Sequence, residues 1–120
     1  MSRVEVDKVK KLIKFKMTGF FKPEDVESLT SELEKVFKEF KPKEAVALGI
    51  MSGFKPVSAN ITPALEKFQS FVASSSKKVA TVHDNVVAEM QGKRIGQDTK
   101  ANDTIKRFHS EEEALKYLFS

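Results

Sequence analysis

The sequence contains no cysteine and no tryptophan, and it has only five glycines and four prolines. Without cysteine the chain forms no disulfide, uses no thiol nucleophile and binds no zinc or iron–sulfur cluster through thiolates. A cysteine-free composition is typical of the reducing cytosol, so we expect a cytoplasmic protein. The glycines form no phosphate-cradling loop, and the Gly-x-Ser-x-Gly and His-Glu-x-x-His motifs are missing. We therefore expect no cofactor, no metal and no enzymatic activity.

Long apolar runs are missing too. The longest covers residues 45–51, far short of the ~20 residues that span a bilayer. The first residues lack the apolar segment of a signal peptide. A chain of 120 residues has room for one hydrophobic core. The sequence therefore predicts one domain over residues 1–120 and no membrane-spanning segment.

Basic residues exceed acidic ones by 21 to 17, which gives a net charge of +4. Such a balance raises the question of a nucleic-acid partner. Lysines and glutamates, however, are interleaved along the predicted helices, as on a solvated surface. Only Lys8–Lys16 is basic without acids, and we interpret it as a solvated edge hairpin. The sequence therefore does not favour nucleic acid as the partner.

Hydrophobic periodicity predicts the element order β-β-α-β-α-β-α-β-α. Residues 12–18 alternate apolar and polar side chains, which is typical of a half-buried strand. Pro23, followed by two acidic residues, favours the start of an amphipathic helix that ends before Pro42. This order predicts an α/β fold with a mainly parallel sheet and an antiparallel N-terminal hairpin.

The segment from Glu44 to Phe71 predicts a buried strand, a polar loop and an amphipathic helix. Thr62 is predicted to be the helix N-cap, with Pro63 as the first helical residue. A helix N-terminus that follows a buried strand favours an anion, a phosphoacceptor or a binding partner. The alternative is that the polar residues only cap the helix. The candidate binding residues are Ser52, Phe54, Lys55, Ser58, Asn60 and Thr62.

Two histidines are secondary candidates, because His83 and His109 both follow short predicted strands. If these strands are neighbours, the rings and Asp84 can face one pocket, where they would bind a metal or exchange protons. The alternative is a surface or capping role for each residue.

The third predicted helix, about Val86–Ile95, is expected to bury Val86, Val87, Met90 and Ile95. Lys93 and Arg94 lie at its predicted end, where cations offset the helix dipole. Alternatively, these two cations form a patch for an acidic partner or a lipid headgroup.

Several segments resemble SpoIIAA-like proteins, which have the STAS fold of the anti-sigma-factor antagonists. They are Met17–Phe20 before the Pro-Glu helix start, the strand Lys77–Val82, the Met90–Arg94 segment MQGKR, and the ending Ile105–Leu115. This resemblance implies a STAS-like domain and a non-enzymatic regulatory or protein-interaction module from a bacterium or its phage. Phosphorylatable members carry an Asp-Ser-x-Gly-type segment, whereas residues 49–62 here contain no acidic residue. Ser58 and Thr62 lie where a phosphoacceptor would sit.

Three functions therefore stay open. The first is a protein-interaction module whose partner contacts the Ser52–Thr62 loop, with a homodimer also open. The second is a carrier of a small apolar ligand or lipid, in which Phe20, Phe21 and Phe54 line a pocket instead of closing the core. The third is a basic nucleic-acid-binding protein.

Overall fold

The computed structural model describes residues 2–120. The strands are β1 (Ser2–Asp7), β2 (Leu12–Met17), β3 (Val46–Met51), β4 (Val79–His83) and β5 (Ile105–Phe108). The helices are α1 (Pro23–Phe37), α2 (Thr62–Ser75), α3 (Val86–Asp98) and α4 (Glu111–Leu118), with 3₁₀ turns at Ala59–Ile61 and Ala101–Asp103.

The strands form one sheet in the order β1-β2-β3-β4-β5. β1 and β2 pair antiparallel, with Val4 opposite Phe15. The pairs β2–β3, β3–β4 and β4–β5 are all parallel. The predicted fold class, a mainly parallel sheet with an antiparallel N-terminal hairpin, is confirmed.

The larger core lies between the sheet and helices α1, α2 and α3. Ile13, Phe15 and Met17 alternate along β2 on this face, and all three are buried in the core. The rings of Phe15 and Phe68 meet edge to face with centroids 5.5 Å apart. A β-carbon at Gly49 would lie 2.6 Å from the Phe15 ring, so glycine in β3 makes room for that ring.

Helix α4 covers the opposite face of the sheet. Leu48 and Val82 pack there with Ala114 in a second apolar cluster. β3 therefore has helices on both faces, and all six of its residues are buried. Burial on two sides explains why this strand has no apolar–polar alternation.

The basic segment Lys8–Lys16 forms part of the β1–β2 hairpin. Its ion pairs are Lys8–Glu39 at 2.9 Å, Lys11–Glu44 at 3.0 Å and Lys14–Glu111 at 3.0 Å. The acids come from the regions of α1, β3 and α4 that surround the hairpin. These pairs partly neutralise the cluster, which therefore offers no uninterrupted basic face to a nucleic-acid backbone.

Some element boundaries differ from the sequence prediction. α1 ends at Phe37, before the turns that precede Pro42. α3 continues to Asp98, beyond its predicted end at about Ile95, and a 3₁₀ turn follows it. Lys93 and Arg94 therefore lie before the last helical turn, too far from the helix end to offset its dipole, and that prediction is wrong.

Across residues 2–120, no helix combines the length and the apolar character that crossing a bilayer requires.

Candidate functional site

The loop after β3 lies at the carboxyl edge of the sheet and is held in a fixed turn. The Gly53 N–H donates to both carboxylate oxygens of Asp84, at 2.9 and 3.1 Å. The Gly19 N–H donates to the Gly53 carbonyl at 2.8 Å, and the Lys55 N–H donates to the Gly19 carbonyl at 3.0 Å. Gly19 and Gly53 have φ values of +75° and +78°, which glycine adopts without steric cost. Asp84 thus positions the loop.

Gln91 on α3 holds the other end of the same loop. Its side-chain Oε1 accepts from the Val57 N–H at 2.9 Å, and its Nε2 donates to the Val57 carbonyl at 3.0 Å. One amide side chain therefore satisfies both backbone groups of one loop residue. Sequence reasoning missed Gln91, because its partner is 34 residues away in the chain.

Four of the six candidate loop residues are exposed, namely Ser52, Lys55, Ser58 and Asn60. The Ser58 hydroxyl donates to the Asn60 side-chain oxygen. Phe54 points inward and is buried. Its ring meets the ring of Phe21 edge to face, with centroids 5.4 Å apart. The polar residues are accessible to a partner, whereas Phe54 and Phe21 close the end of the core.

Thr62 does not cap α2, and that prediction is wrong. The helix begins at Thr62, its N-cap is Ile61, and no side chain makes a capping hydrogen bond there. The cause is the 3₁₀ turn Ala59–Ile61, which runs directly into the helix. Ile61 consequently has φ −84° and ψ −14°, instead of the extended conformation in which a capping side chain reaches back to the helix.

Large apolar side chains lie exposed at this edge of the sheet, on both sides of the Gly53 turn. Phe20 follows Gly19, which hydrogen-bonds the turn. The others lie at the start of α3, directly after Asp84, which holds the same turn. We call this set the apical patch: Phe20, Val86, Val87 and Met90, which are 78%, 68%, 56% and 61% exposed.

Helix α3 turns a different face to the core than its sequence predicts. Its buried residues are Ala88, Ile95 and Gly96. A β-carbon at Gly96 would overlap the Asn102 side chain, so small residues let α3 pack closely. The expectation that Val86, Val87 and Met90 lie in the core is wrong. Hydrophobic periodicity detects large apolar side chains, which here face outward.

His83 is the last residue of β4 and is buried, with its Nε2 2.8 Å from the Thr81 hydroxyl. Burial, helped by the positive charge of Arg107 and opposed by Glu89, lowers the pKa of His83 to about 4. The imidazole is therefore neutral near pH 7, and it is not poised to exchange protons there.

The second histidine has a different partner. His109 is exposed, and its Nε2 lies 2.9 Å from Glu89 Oε1, whereas the Asp84 carboxylate binds the Gly53 N–H. The predicted shared pocket of His83, His109 and Asp84 therefore does not form. In the part of the chain that the structure describes, no group of three His, Asp or Glu side chains could hold a metal ion.

Lys93 and Arg94 are exposed on α3. Arg94 lines a shallow surface pocket of about 180 Å³ together with Ser58 and Thr62. The structure thus brings one predicted cation beside two of the predicted hydroxyl groups.

A cavity of about 50 Å³ lies under the loop, between the sheet and helices α2 and α3. We call it the central cavity. Phe15, Phe54 and Phe68 contribute to its largely apolar wall. The polar lining residues are Gln69, Thr81, His83, Gln91 and Arg107. Sequence reasoning missed Arg107, although strand alternation places it on the same face of β5 as the buried Ile105.

Comparison with known proteins gives one family match. A family model described as SpoIIAA-like matches residues 12–118. The structure of an uncharacterised protein with a SpoIIAA-like fold from Shewanella loihica is similar, with a TM-score of 0.73 and 22% identity over 98% of this chain and 93% of that one. An anti-sigma factor antagonist from Mycobacterium paratuberculosis has a TM-score of 0.65 and 11% identity over 100% and 96% of the two chains. At these identities the two structures show the fold alone. No curated protein matches.

Proposed function

The chain belongs to the SpoIIAA-like family, as its sequence resemblance predicted, and on this basis we propose that it is a non-enzymatic, cytoplasmic regulatory module that binds a protein partner. One protein of similar fold is described as an anti-sigma factor antagonist, which is a protein-binding regulator. This likeness supports the class of function and leaves the partner itself open.

The apical patch is the observation that carries this proposal. Clusters of exposed large apolar side chains are a common feature of protein-interaction sites. Burying one large apolar side chain against a partner contributes roughly 1.5–3 kcal/mol. Phe20 and Met90 are 78% and 61% exposed, so most of their apolar surface remains available. They are the side chains we expect to contribute most to partner binding.

Charge beside the patch indicates the chemistry of the partner. Lys93 and Arg94 lie three and four residues after Met90, one helical turn further along α3. Lys55 is exposed in the loop between the two parts of the patch. A partner with an apolar anchor and acidic flanking residues therefore complements this surface.

The test is partner capture with a matched control. The tagged protein and the double variant Phe20→Ser, Met90→Ser are expressed in the natural host, and bound proteins are compared by quantitative mass spectrometry. Val9→Ser is the control, because Val9 is an exposed apolar residue in the β1–β2 turn at the opposite end of the sheet. We expect the double variant to lose a partner that the wild type and the control both retain.

An unchanged set of partners in the double variant would refute the role of the patch. A second copy of the chain is another outcome, which sedimentation of the purified protein would reveal as a homodimer that the double variant dissociates.

Anion or phosphate control at the loop is a finer part of the proposal. It is supported by the shallow pocket that Ser58, Thr62 and Arg94 share, because a guanidinium favours a phosphate oxygen. Intact-mass analysis of the untagged protein from its host, with peptide mapping, would detect a phosphate on Ser58 or Thr62. Unmodified protein across growth conditions would count against phosphorylation.

Binding of a small apolar ligand is a second candidate function, and the central cavity is the observation that favours it. The cavity has an apolar wall with few polar groups, as ligand sites do. Native mass spectrometry of protein from the host would show a bound ligand. A bare protein would count against this candidate.

A further inference from the structure

The polar wall of the central cavity carries charge of one sign only. Among its lining residues, Arg107 is the one basic side chain that is always ionised, and no acidic side chain lines the cavity within the described residues. His83 also lines it, in its neutral form near pH 7. A half-buried positive charge therefore lines a largely apolar cavity.

Arg107 has neutral hydrogen-bond partners. Its Nη1 donates to Asn102 Oδ1 at 2.7 Å, and its Nη2 donates to the Gly92 carbonyl at 3.2 Å. No ion pair joins it to a carboxylate among residues 2–120. A guanidinium has five N–H donors, so donors remain beyond these two bonds. Burial also lowers the pKa of Arg107, which reflects the cost of keeping its charge away from water.

Glu89 is the acid whose charge acts on Arg107, but the two side chains make no ion pair. Glu89 acts on Arg107 from a distance and favours its charged form. Its carboxylate is engaged instead by His109, at 2.9 Å.

We propose that the central cavity binds a small apolar monocarboxylate, whose carboxylate pairs with Arg107 and whose short apolar body lies among the phenylalanines. This inference rests on the second candidate function, ligand binding in the cavity, and adds the charge of the ligand to it. A carboxylate accepts from a guanidinium through two parallel hydrogen bonds. It would supply a direct ion pair, which Arg107 does not make among residues 2–120.

Size limits the ligand. The cavity measures about 50 Å³, whereas an engineered cavity of ~150 Å³ admits benzene. The apolar body is therefore short, on the order of two or three carbons while the loop stays closed. Longer chains would need the Gln91–Val57 hydrogen bonds to open.

The experiment is an NMR titration of the ¹⁵N-labelled full chain with butyrate and, separately, with butan-1-ol, which is similar in shape but neutral. The variants are Arg107→Met, which removes the charge, and Arg107→Lys, which keeps it. Arg3→Met is the matched control, because it loses the same charge from an exposed position outside the cavity. The NMR spectrum of each variant must show that it is folded. If Arg107→Met does not fold, butyrate binding by Arg107→Lys is compared with that of the wild type instead.

We expect butyrate to cause saturable chemical-shift changes at Gly92 and Arg107 in the wild type and in Arg3→Met. Arg107→Met should weaken butyrate binding at least tenfold, Arg107→Lys should weaken it less, and butan-1-ol should bind more weakly than butyrate. Equal binding of butyrate and butan-1-ol would overturn the carboxylate inference and leave apolar ligand binding in place. If neither compound changes the chemical shifts of the cavity-lining residues, both the inference and the second candidate function are overturned.

Discussion

Mild acid is expected to destabilise this protein through one buried side chain, His83. In the unfolded chain the imidazole takes up a proton near its ordinary pKa of 6.5, whereas burial holds the folded-state pKa at about 4. Between these values the unfolded state binds more protons than the folded state. The free energy of unfolding therefore falls as pH is lowered from about 6.5 toward 4.

The size of this effect follows from the two pKa values. With 6.5 for the unfolded state and about 4 for the folded state, the full loss is about 3 kcal/mol at 1.36 kcal/mol per pH unit. About 2 kcal/mol of it appears between roughly pH 7.5 and pH 5. This window lies above the range in which carboxylates such as Glu44, whose pKa the Lys11 ammonium lowers, begin to lose their stabilising charge.

Urea unfolding at about pH 7.5 and about pH 5 measures the loss directly. His83→Gln removes the titrating ring while keeping a polar side chain near the Thr81 hydroxyl, so its pH dependence should be nearly flat. The charged and titratable neighbours Asp84, Glu89, Arg107 and His109 remain in that variant. His109→Gln is the control and should retain the wild-type loss. An equal loss in His83→Gln and the wild type would refute the assignment to His83.

Three further perturbations test the packing of the site. Gln91→Ala removes both hydrogen bonds to Val57, so it should lower the free energy of unfolding, measured with urea, by about 1–3 kcal/mol. It should also speed hydrogen exchange at the Val57 amide. Exchange as slow as in the wild type would show that Gln91 does not hold the loop. Gly49→Ala places a methyl group 2.6 Å from the Phe15 ring and should cost roughly 1–3 kcal/mol; a neutral effect would show that the ring moves aside freely. Met90→Lys should change stability by less than about 0.5 kcal/mol because Met90 is exposed; a larger loss would place Met90 in the core.

The fold could be predicted well from the sequence, because the patterns that specify its strands and helices each lie within one short segment. The alternation of Ile13, Phe15 and Met17 set the buried face of β2, and the same three residues are buried. Pro23 and the acidic residues after it predicted the start of α1, which begins there. The unbroken apolar run of β3 predicted a buried strand, and the structure covers both of its faces, with α4 on the second one.

The site was less predictable because its contacts join distant segments. Gln91 and Val57 are 34 residues apart, and Asp84 and Gly53 are 31 apart, so no spacing rule reveals either pair. The 3₁₀ turn before α2 displaced the predicted cap at Thr62.

The apical patch was assigned to the core for another reason. Val86, Val87 and Met90 have the composition of a core stripe, and only the packing of Ala88 and Gly96 against neighbouring elements turns them outward. A helix with large apolar residues on one face and small residues on another is therefore ambiguous in sequence.

The central claim is that a protein partner binds at the apical patch, and hydrogen–deuterium exchange of the captured complex tests it most directly. Binding should slow exchange in the loop 52–58 and in the first turns of α3, around Val86 and Met90. The β1–β2 turn near Val9 should exchange as it does in the free protein. Protection confined to that turn, or to the groove that Phe37 and Phe71 line at the C-terminal ends of α1 and α2, would contradict the claim.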